Sequence, residues 1–240
     1  MKIALESDRE IMTAVQMSEW RRIFEDNRVV PPHNQSSRLA AGSPQAFQLA
    51  LKQVEGLQTT QSEAGEGSRH ELRVTLFDSG RQRFFGRTWR SAPREVRSSR
   101  VRFSEVIYFH TALCLSSVVA VVELVSLSQG PGASQNAVGA GFGLVQLFSA
   151  RPDSGPPHGE DRLSLLHGTP RALLHPALKD PLQMNAVFTV MEGTQLLYSL
   201  QPHPALTPIM HLLPPNILVS GHDLIPGVLP PTDDTALPPP

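Results

Sequence analysis

The sequence predicts a mainly-β protein folded as an antiparallel β-sandwich. Six segments with the periodicity of strands occur before residue 150, turn-forming residues separate them, and only one short helix is indicated in the same stretch. Short strands that follow one another in this way favour a sandwich over folds that alternate strands and helices. Proline accounts for 22 of the 240 residues, and 17 of the 22 lie from Pro152 onward. We therefore expect a β-rich body followed by a proline-punctuated part.

The first 42 residues are predicted to be an N-terminal extension with one short helix near residues 18–27. Trp20, Ile23 and Phe24 stand at positions i, i+3 and i+4, which places them on one face of a helix. Pro31 and Pro32 follow and prevent the helix from continuing. The sandwich itself is predicted over residues 43–201.

A period of two identifies the strands of the sandwich. Phe47, Leu49 and Leu51 occupy alternate positions, and a second such strand carries Leu72 and Leu76. Further strands are predicted over residues 83–90, 101–110, 118–122 and 142–148. The run 118–122 is continuously apolar, which is typical of a central strand buried on both faces.

The second part of the chain gives a mixed pattern. Residues 162–167 can form a strand, and Thr169 followed by Pro170 predicts the start of a helix over residues 171–178. Residues 186–191 and 195–200 alternate about Glu192 and Gly193, which predicts a hairpin that closes the sandwich. Residues 202–240 are predicted to be a Pro-rich C-terminal extension without a core of its own.

Cysteine usage and hydropathy predict a cytoplasmic location. Cys114 is the only cysteine, so the chain forms no internal disulfide, which is typical of a reducing compartment. Charged residues interrupt the first ten positions, where a secretory signal would need an apolar run. The most apolar stretch, residues 118–127, contains Glu123 and is half the ~20 residues that span a bilayer. No transmembrane segment is expected.

The residues also predict that the chain is not an enzyme and needs no cofactor. Ser220, His222 and Asp223 are the components of a triad, but neighbours on an extended chain point in alternate directions and cannot meet. The histidines follow no ligand spacing, so no metal site is expected. A calcium site normally needs several aspartates on neighbouring loops, and none occurs between Asp78 and Asp153. The fold is therefore expected to be calcium-independent.

The strongest charge feature lies between residues 81 and 102, where eight arginines accompany one acid, Glu95. Three interpretations stay open: a solvated basic face, a docking surface for an acidic partner segment, and a surface for anionic lipid. Nucleic acid is not expected, because residues 83–86 do not match the RNA-recognition signature. The candidate interaction surface consists of Arg81, Arg83, Arg87, Trp89, Arg90, Arg97, Arg100 and Arg102.

Several motifs together resemble the N-terminal region of the nephrocystin-4 family. They occur in order along most of the chain from Met17 onward, and the longest has ten residues. They include Trp20-Arg21-Arg22-Ile23-Phe24, Phe84-Phe85-Gly86-Arg87-Thr88-Trp89, Tyr108-Phe109-His110-Thr111, Gly141-Phe142-Gly143, His167-Gly168-Thr169-Pro170-Arg171-Ala172-Leu173-Leu174-His175-Pro176 and Leu218-Val219-Ser220-Gly221.

This resemblance implies a C2-like β-sandwich and a non-enzymatic scaffold. The family assembles with nephrocystin-1 and with the retinitis-pigmentosa-GTPase-regulator-interacting proteins at the ciliary transition zone and basal body, and it is also found at cell junctions. Effects on Hippo and Wnt signalling are attributed to it. The resemblance begins at Met17, and the family's chain is several times longer. Residues 1–16 are therefore expected to be an upstream extension, and the sequence a fragment or truncated form.

Overall fold

The computed structural model describes residues 43–57, 69–129, 135–149, 159–174 and 188–221. Within these ranges two 3-10 helices occur, Pro170–Leu174 and Pro204–Leu212. The helix predicted near residues 18–27 lies outside the described residues. The described strands are β1 (Gln45–Glu55), β2 (Arg69–Asp78), β3 (Arg83–Arg90), β4 (Arg94–Glu95), β5 (Arg100–Thr111), β6 (Val118–Gln129), β7 (Gln135–Gln146), β8 (Gly159–Leu166), β9 (Val190–Pro202) and β10 (Val219–Ser220).

The strands form one hydrogen-bonded path in the order β10-β5-β1-β9-β8-β7-β6-β2-β3, and β4 stands beside β2. Every pairing is antiparallel. Among the described residues, β7 and β8 share a single pair, Phe142 with Leu166. The path therefore divides there into two layers, β10-β5-β1-β9-β8 and β7-β6-β2-β3. The predicted mainly-β, antiparallel fold class is confirmed.

The hydrophobic core lies between the two layers, and both supply its residues. Phe47 of β1 stacks on Phe109 of β5 with ring centroids 5.3 Å apart, and Phe148 meets Phe47 edge-on at 5.5 Å. From the other layer, Leu76 and Val122 are fully buried in the same cluster. Alternation along the chain is what lets each strand send one row of apolar side chains inward.

The predicted hairpin about residues 192–193 is wrong. β9 runs as one strand from Val190 to Pro202, and its register against β8 is broken near Gly193. Gly193 has φ 72, and its carbonyl meets the end of β1 so closely that a Cβ on Gly56 would lie 1.9 Å from that oxygen. Thr194 Oγ1 donates a hydrogen bond to the Gly56 carbonyl at 3.0 Å. The glycine therefore serves a bulge that meets β1 rather than a turn.

Two other predicted elements have different lengths in the structure. The helix expected over residues 171–178 is a 3-10 helix at Pro170–Leu174, and the rest of that range lies outside the described residues. The strand predicted over residues 142–148 is longer and begins earlier, because β7 runs from Gln135 to Gln146. Polar and small residues occupy its first half, so hydropathy alone places its start too late.

The segment that follows β9 packs on the outer face of β1 and β5. Leu206, Leu213 and Ile217 are buried there against Ala50 and Val106. The prolines in this segment are separated by apolar side chains, and burial of those side chains stabilises the docked segment. Residues 203–220, which the prediction assigns to the Pro-rich extension, are therefore part of the folded body.

The two ends of the strand path approach each other at Gly86 of β3. Gly86 has φ 69, and a Cβ on it would lie 2.2 Å from the backbone oxygen of Asn216, just before β10. The Asn216 backbone N–H donates to the His110 carbonyl of β5 at 2.9 Å, which fixes this turn to the first layer. The backbone contact thus brings β3 beside the opposite end of the path, at a position where only glycine fits.

Candidate interaction surface

The arginine at the start of the predicted surface is held in the turn between β2 and β3. Arg81 Nη1 lies 2.6 Å from Asp78 Oδ2, and the Asp78 carboxylate is almost fully buried. Asp78 Oδ1 also accepts hydrogen bonds from the Gly80 backbone N–H at 3.0 Å and from Ser117 Oγ at 2.9 Å. Arg81 therefore neutralises the buried Asp78 carboxylate, so its positive charge is already balanced within this turn.

Trp89 and Arg87 of β3 are both half-buried, and Trp89 packs against the hydrophobic core. Trp89 lies opposite Val74, whose side chain is fully buried between the layers. Burial lowers the pKa of Arg87, and the neighbouring charge of Arg90 lowers it further. Trp89 is thus partly engaged by the core, whereas Arg83 and Arg90 are exposed.

The structure divides the predicted surface between two ends of the sandwich. In the strand register, Arg83 lies opposite Asp78, the last residue of β2. Glu95 lies opposite Arg69, the first residue of β2. A strand rises about 3.3 Å per residue, so the two ends of β2 are roughly 30 Å apart. Arg81 and Arg83 consequently lie far from the arginines of β4, β5 and their connection.

The second group of arginines lines a groove with a volume of about 720 Å³. Predicted surface residues Arg97, Arg100 and Arg102 contribute to it, together with Arg69 and Arg94, which the sequence analysis did not select. Pro93, Glu95 and Ser98 complete the lining. We call this site, with its five arginines, the arginine groove.

Strand pairing explains why the sequence did not reveal the whole groove. Arg69 opposes Glu95 and His70 opposes Arg94 where β2 pairs with β4. Arg69 precedes the arginine-rich stretch by twelve positions and is flanked there by no other basic residue except His70. Nothing local in the sequence marks it, because only the β2–β4 register brings it to the groove.

A tight turn presents two of the groove arginines side by side. Arg97 and Arg100 exchange backbone hydrogen bonds of 2.8 and 3.1 Å across Ser98 and Ser99. Both serines have positive φ, 51° and 58°, which is the signature of a type I′ hairpin turn. The Ser99 carbonyl accepts a hydrogen bond from the Leu57 backbone N–H at 3.0 Å, so the turn is tied to the end of β1. The position of both arginines is therefore set by backbone geometry.

Three of the groove arginines already have carboxylate neighbours. Arg94 Nη2 lies 3.5 Å from Oε1 of the buried Glu105. Arg97 Nη2 lies 3.9 Å from Glu95 Oε2, and both of these side chains are mostly exposed. The third is Arg100, whose Nε lies 3.4 Å from Glu55 Oε1. The Arg97–Glu95 pair is exposed on both sides and such a pair contributes about 0–1 kcal/mol, so an incoming anion can compete for this arginine.

The other two, Arg69 and Arg102, carry surplus charge. No carboxylate of the described residues lies within 4.0 Å of either guanidinium group. Arg69 Nη2 donates at 3.5 Å to the carbonyl of Pro93, which keeps it on the groove wall. The arrangement suits an anionic ligand, since guanidinium forks bind carboxylate or phosphate in a bidentate manner.

Within the described ranges, no three His, Cys, Asp or Glu side chains gather in a way that could hold a metal ion. No helix in the same part of the chain is long and apolar enough to cross a membrane.

The described part of the chain thus defines an antiparallel β-sandwich with an arginine groove at one end. The chain is homologous to a part of nephrocystin-4. It is 39% identical to nephrocystin-4 of Xenopus laevis over 226 residues, which is 91% of this chain and 16% of that protein. It is 46% identical to human nephrocystin-4 over 219 residues, which is 89% of this chain and 15% of that protein. The predicted resemblance is confirmed, and the chain spans about one sixth of the length of these relatives.

No protein-family model matches the chain. Among solved structures, a C2 domain of plant extended synaptotagmin 1 is similar, with a TM-score of 0.37 and 12% sequence identity. The similarity covers 66% of this chain and 95% of that domain. No property of that domain is transferred to this chain.

Proposed function

We propose that the chain is a non-enzymatic protein-interaction domain of a ciliary scaffold. The observation that carries the proposal is the homology to nephrocystin-4 over nine tenths of the chain. By the resemblance, the domain acts at the ciliary transition zone, at the basal body and at cell junctions, where it contributes to cilium assembly and to Hippo and Wnt signalling. Its proposed partners are nephrocystin-1 and the retinitis-pigmentosa-GTPase-regulator-interacting proteins.

The surface chemistry supports a binding role over a catalytic one. The groove is lined by arginines, which bind and orient anions but are poor general bases because they stay protonated. Ser220, one member of the sequence triad, lies in the two-residue strand β10, opposite Ile107 of β5. His222 and Asp223, the other members of the sequence triad, lie outside the described residues.

Recruitment in ciliated epithelial cells tests this function. A fluorescently tagged copy of the chain is expected to form a focus between basal body and axoneme, and to co-precipitate nephrocystin-1. The tag alone controls for background, and a core variant such as Phe47→Ala controls for the need of a folded domain. Diffuse signal from the folded chain, with no nephrocystin-1 above background, would contradict the proposal.

The proposed function is calcium-independent. The described residues include no cluster of three acidic or histidine side chains, and no aspartate occurs between Asp78 and Asp153. A ligand raises the melting temperature only when it occupies the native state at the concentration used. We expect millimolar calcium to leave the melting temperature unchanged, with magnesium at the same concentration as the ionic-strength control. A calcium-specific rise of several degrees would show that a site exists.

A further inference from the structure

We propose that the arginine groove binds an acidic segment of a partner protein. The proposal deepens the interaction role given above, because it assigns that role to one site and one ligand chemistry. It requires surplus positive charge and a concave site of the right size. The described residues supply both.

Surplus charge is the first requirement. Five arginines and one glutamate line the groove, and the carboxylates of Glu55 and Glu105 reach two of the arginines from outside the lining. Within the described residues, Arg69 and Arg102 have no carboxylate within 4.0 Å. The site therefore keeps an excess of guanidinium groups that incoming carboxylates can satisfy.

The size of the groove is the second requirement. Its volume of about 720 Å³ exceeds what a single phosphate or carboxylate fills. Pockets of roughly 300–1,000 Å³ hold drug-sized molecules, so several consecutive residues of a peptide fit in a groove of this volume. The groove lies where the two layers come together, because Arg94 of β4 reaches Glu105 of β5 across the gap.

An anionic membrane fits the groove less well than a peptide does. The large apolar side chains that are exposed in the described part of the chain, Leu115, Val138, Leu174 and Val190, are not among the groove residues. Lipid-binding surfaces usually add apolar or aromatic contacts that enter the headgroup region. Arg69 also donates to the carbonyl of Pro93 on the concave wall of the groove, so its charge is not presented to a membrane on a protruding loop.

Fluorescence anisotropy with purified chain tests the proposal. The probes are a short labelled peptide rich in glutamate and the same peptide with every glutamate changed to glutamine, both at physiological salt. The acidic peptide is expected to bind and the glutamine peptide is not. The double variant Arg69→Gln/Arg102→Gln is expected to lose affinity about tenfold or more, because it removes the two groove guanidinium groups that have no carboxylate within 4.0 Å among the described residues.

The matched control is Arg83→Gln/Arg90→Gln, which removes the same charge from β3 outside the groove. It is expected to stay within about twofold of the wild-type affinity, as substitutions of remote surface charges do. Equal losses in the two double variants would show that binding is unspecific electrostatics and would overturn the proposal. Melting temperatures of both variants establish that the fold is intact.

Two further measurements keep the outcome decisive. If Arg69→Gln/Arg102→Gln melts early, the single charge-swapped variant Arg102→Glu is expected to lose binding of the acidic peptide, because it adds a negative charge to the groove. Co-sedimentation with vesicles of phosphatidylserine and phosphatidylcholine gives the competing result. Vesicle binding that depends on Arg69 and Arg102, without binding of the acidic peptide, would overturn the proposal in favour of lipid. Recruitment to the cilium is measured separately in cells, so failure of the acidic peptide to bind and failure of recruitment are distinguishable results.

Discussion

Phe47→Ala is expected to be the most destabilising single substitution of the folded body, by about 3–5 kcal/mol. The ring is fully buried at the centre of the sandwich, where it stacks on Phe109 and meets Phe148 edge-on. Truncation removes its transfer free energy, leaves a cavity between two layers that are fixed by their ladders, and ends both ring contacts. Chemical denaturation followed by tryptophan fluorescence measures the effect, since Trp89 packs on the same core.

A surface substitution of the same type provides the control. Val138→Ala removes apolar atoms from a side chain that is 63% exposed, so the free energy of unfolding is expected to change by less than about 0.5 kcal/mol. If Phe47→Ala were equally mild, the two layers would not share the core that the ring contacts describe. Because a loss of about 3–5 kcal/mol is a large part of a typical domain's stability, this variant also controls the cellular experiment.

The sequence predicted the strands of this fold well because burial follows alternation there. β3 occupies residues 83–90 as predicted, and β5 extends the predicted 101–110 by one residue at each end. The run 118–122 of β6 is buried on both faces, as its continuous apolar character indicates. In each of these strands the hydrophobic pattern is the cause of the structure, so reading the pattern recovers the element.

The sequence failed where a long-range contact determines the local structure. A glycine after a glutamate between two alternating segments predicts a hairpin, but Gly193 instead lies inside β9, where its carbonyl is closely approached by Gly56 at the end of β1. The arginine groove is similar, because Arg69 joins it through the register of β2 with β4. Neither contact has a signal in neighbouring residues, whereas the excess of arginine over residues 81–102 was evident and located part of the groove.

Gly86→Ala is expected to destabilise the protein by about 2–5 kcal/mol and to loosen the contact between the two ends of the strand path. An alanine at φ 69 costs about 1–2 kcal/mol in backbone strain. Its Cβ would also lie 2.2 Å from the Asn216 backbone oxygen, and relief of such overpacking typically costs a further 1–3 kcal/mol or so. Hydrogen exchange is expected to show faster opening of β3 and of the turn before β10.

Gly193→Ala is the matched control, because it isolates the backbone strain from the close contact. Gly193 has nearly the same φ, 72°, but a Cβ there meets no atom within 4 Å. The Gly193→Ala substitution is therefore expected to lower the free energy of unfolding only by the backbone strain, about 1–2 kcal/mol. Equal destabilisation by the two substitutions would mean that Asn216 moves away from β3 freely and that the contact contributes nothing. A larger effect at Gly86 means that the turn before β10 is held against β3, so the docked segment after β9 supports both layers of the sandwich.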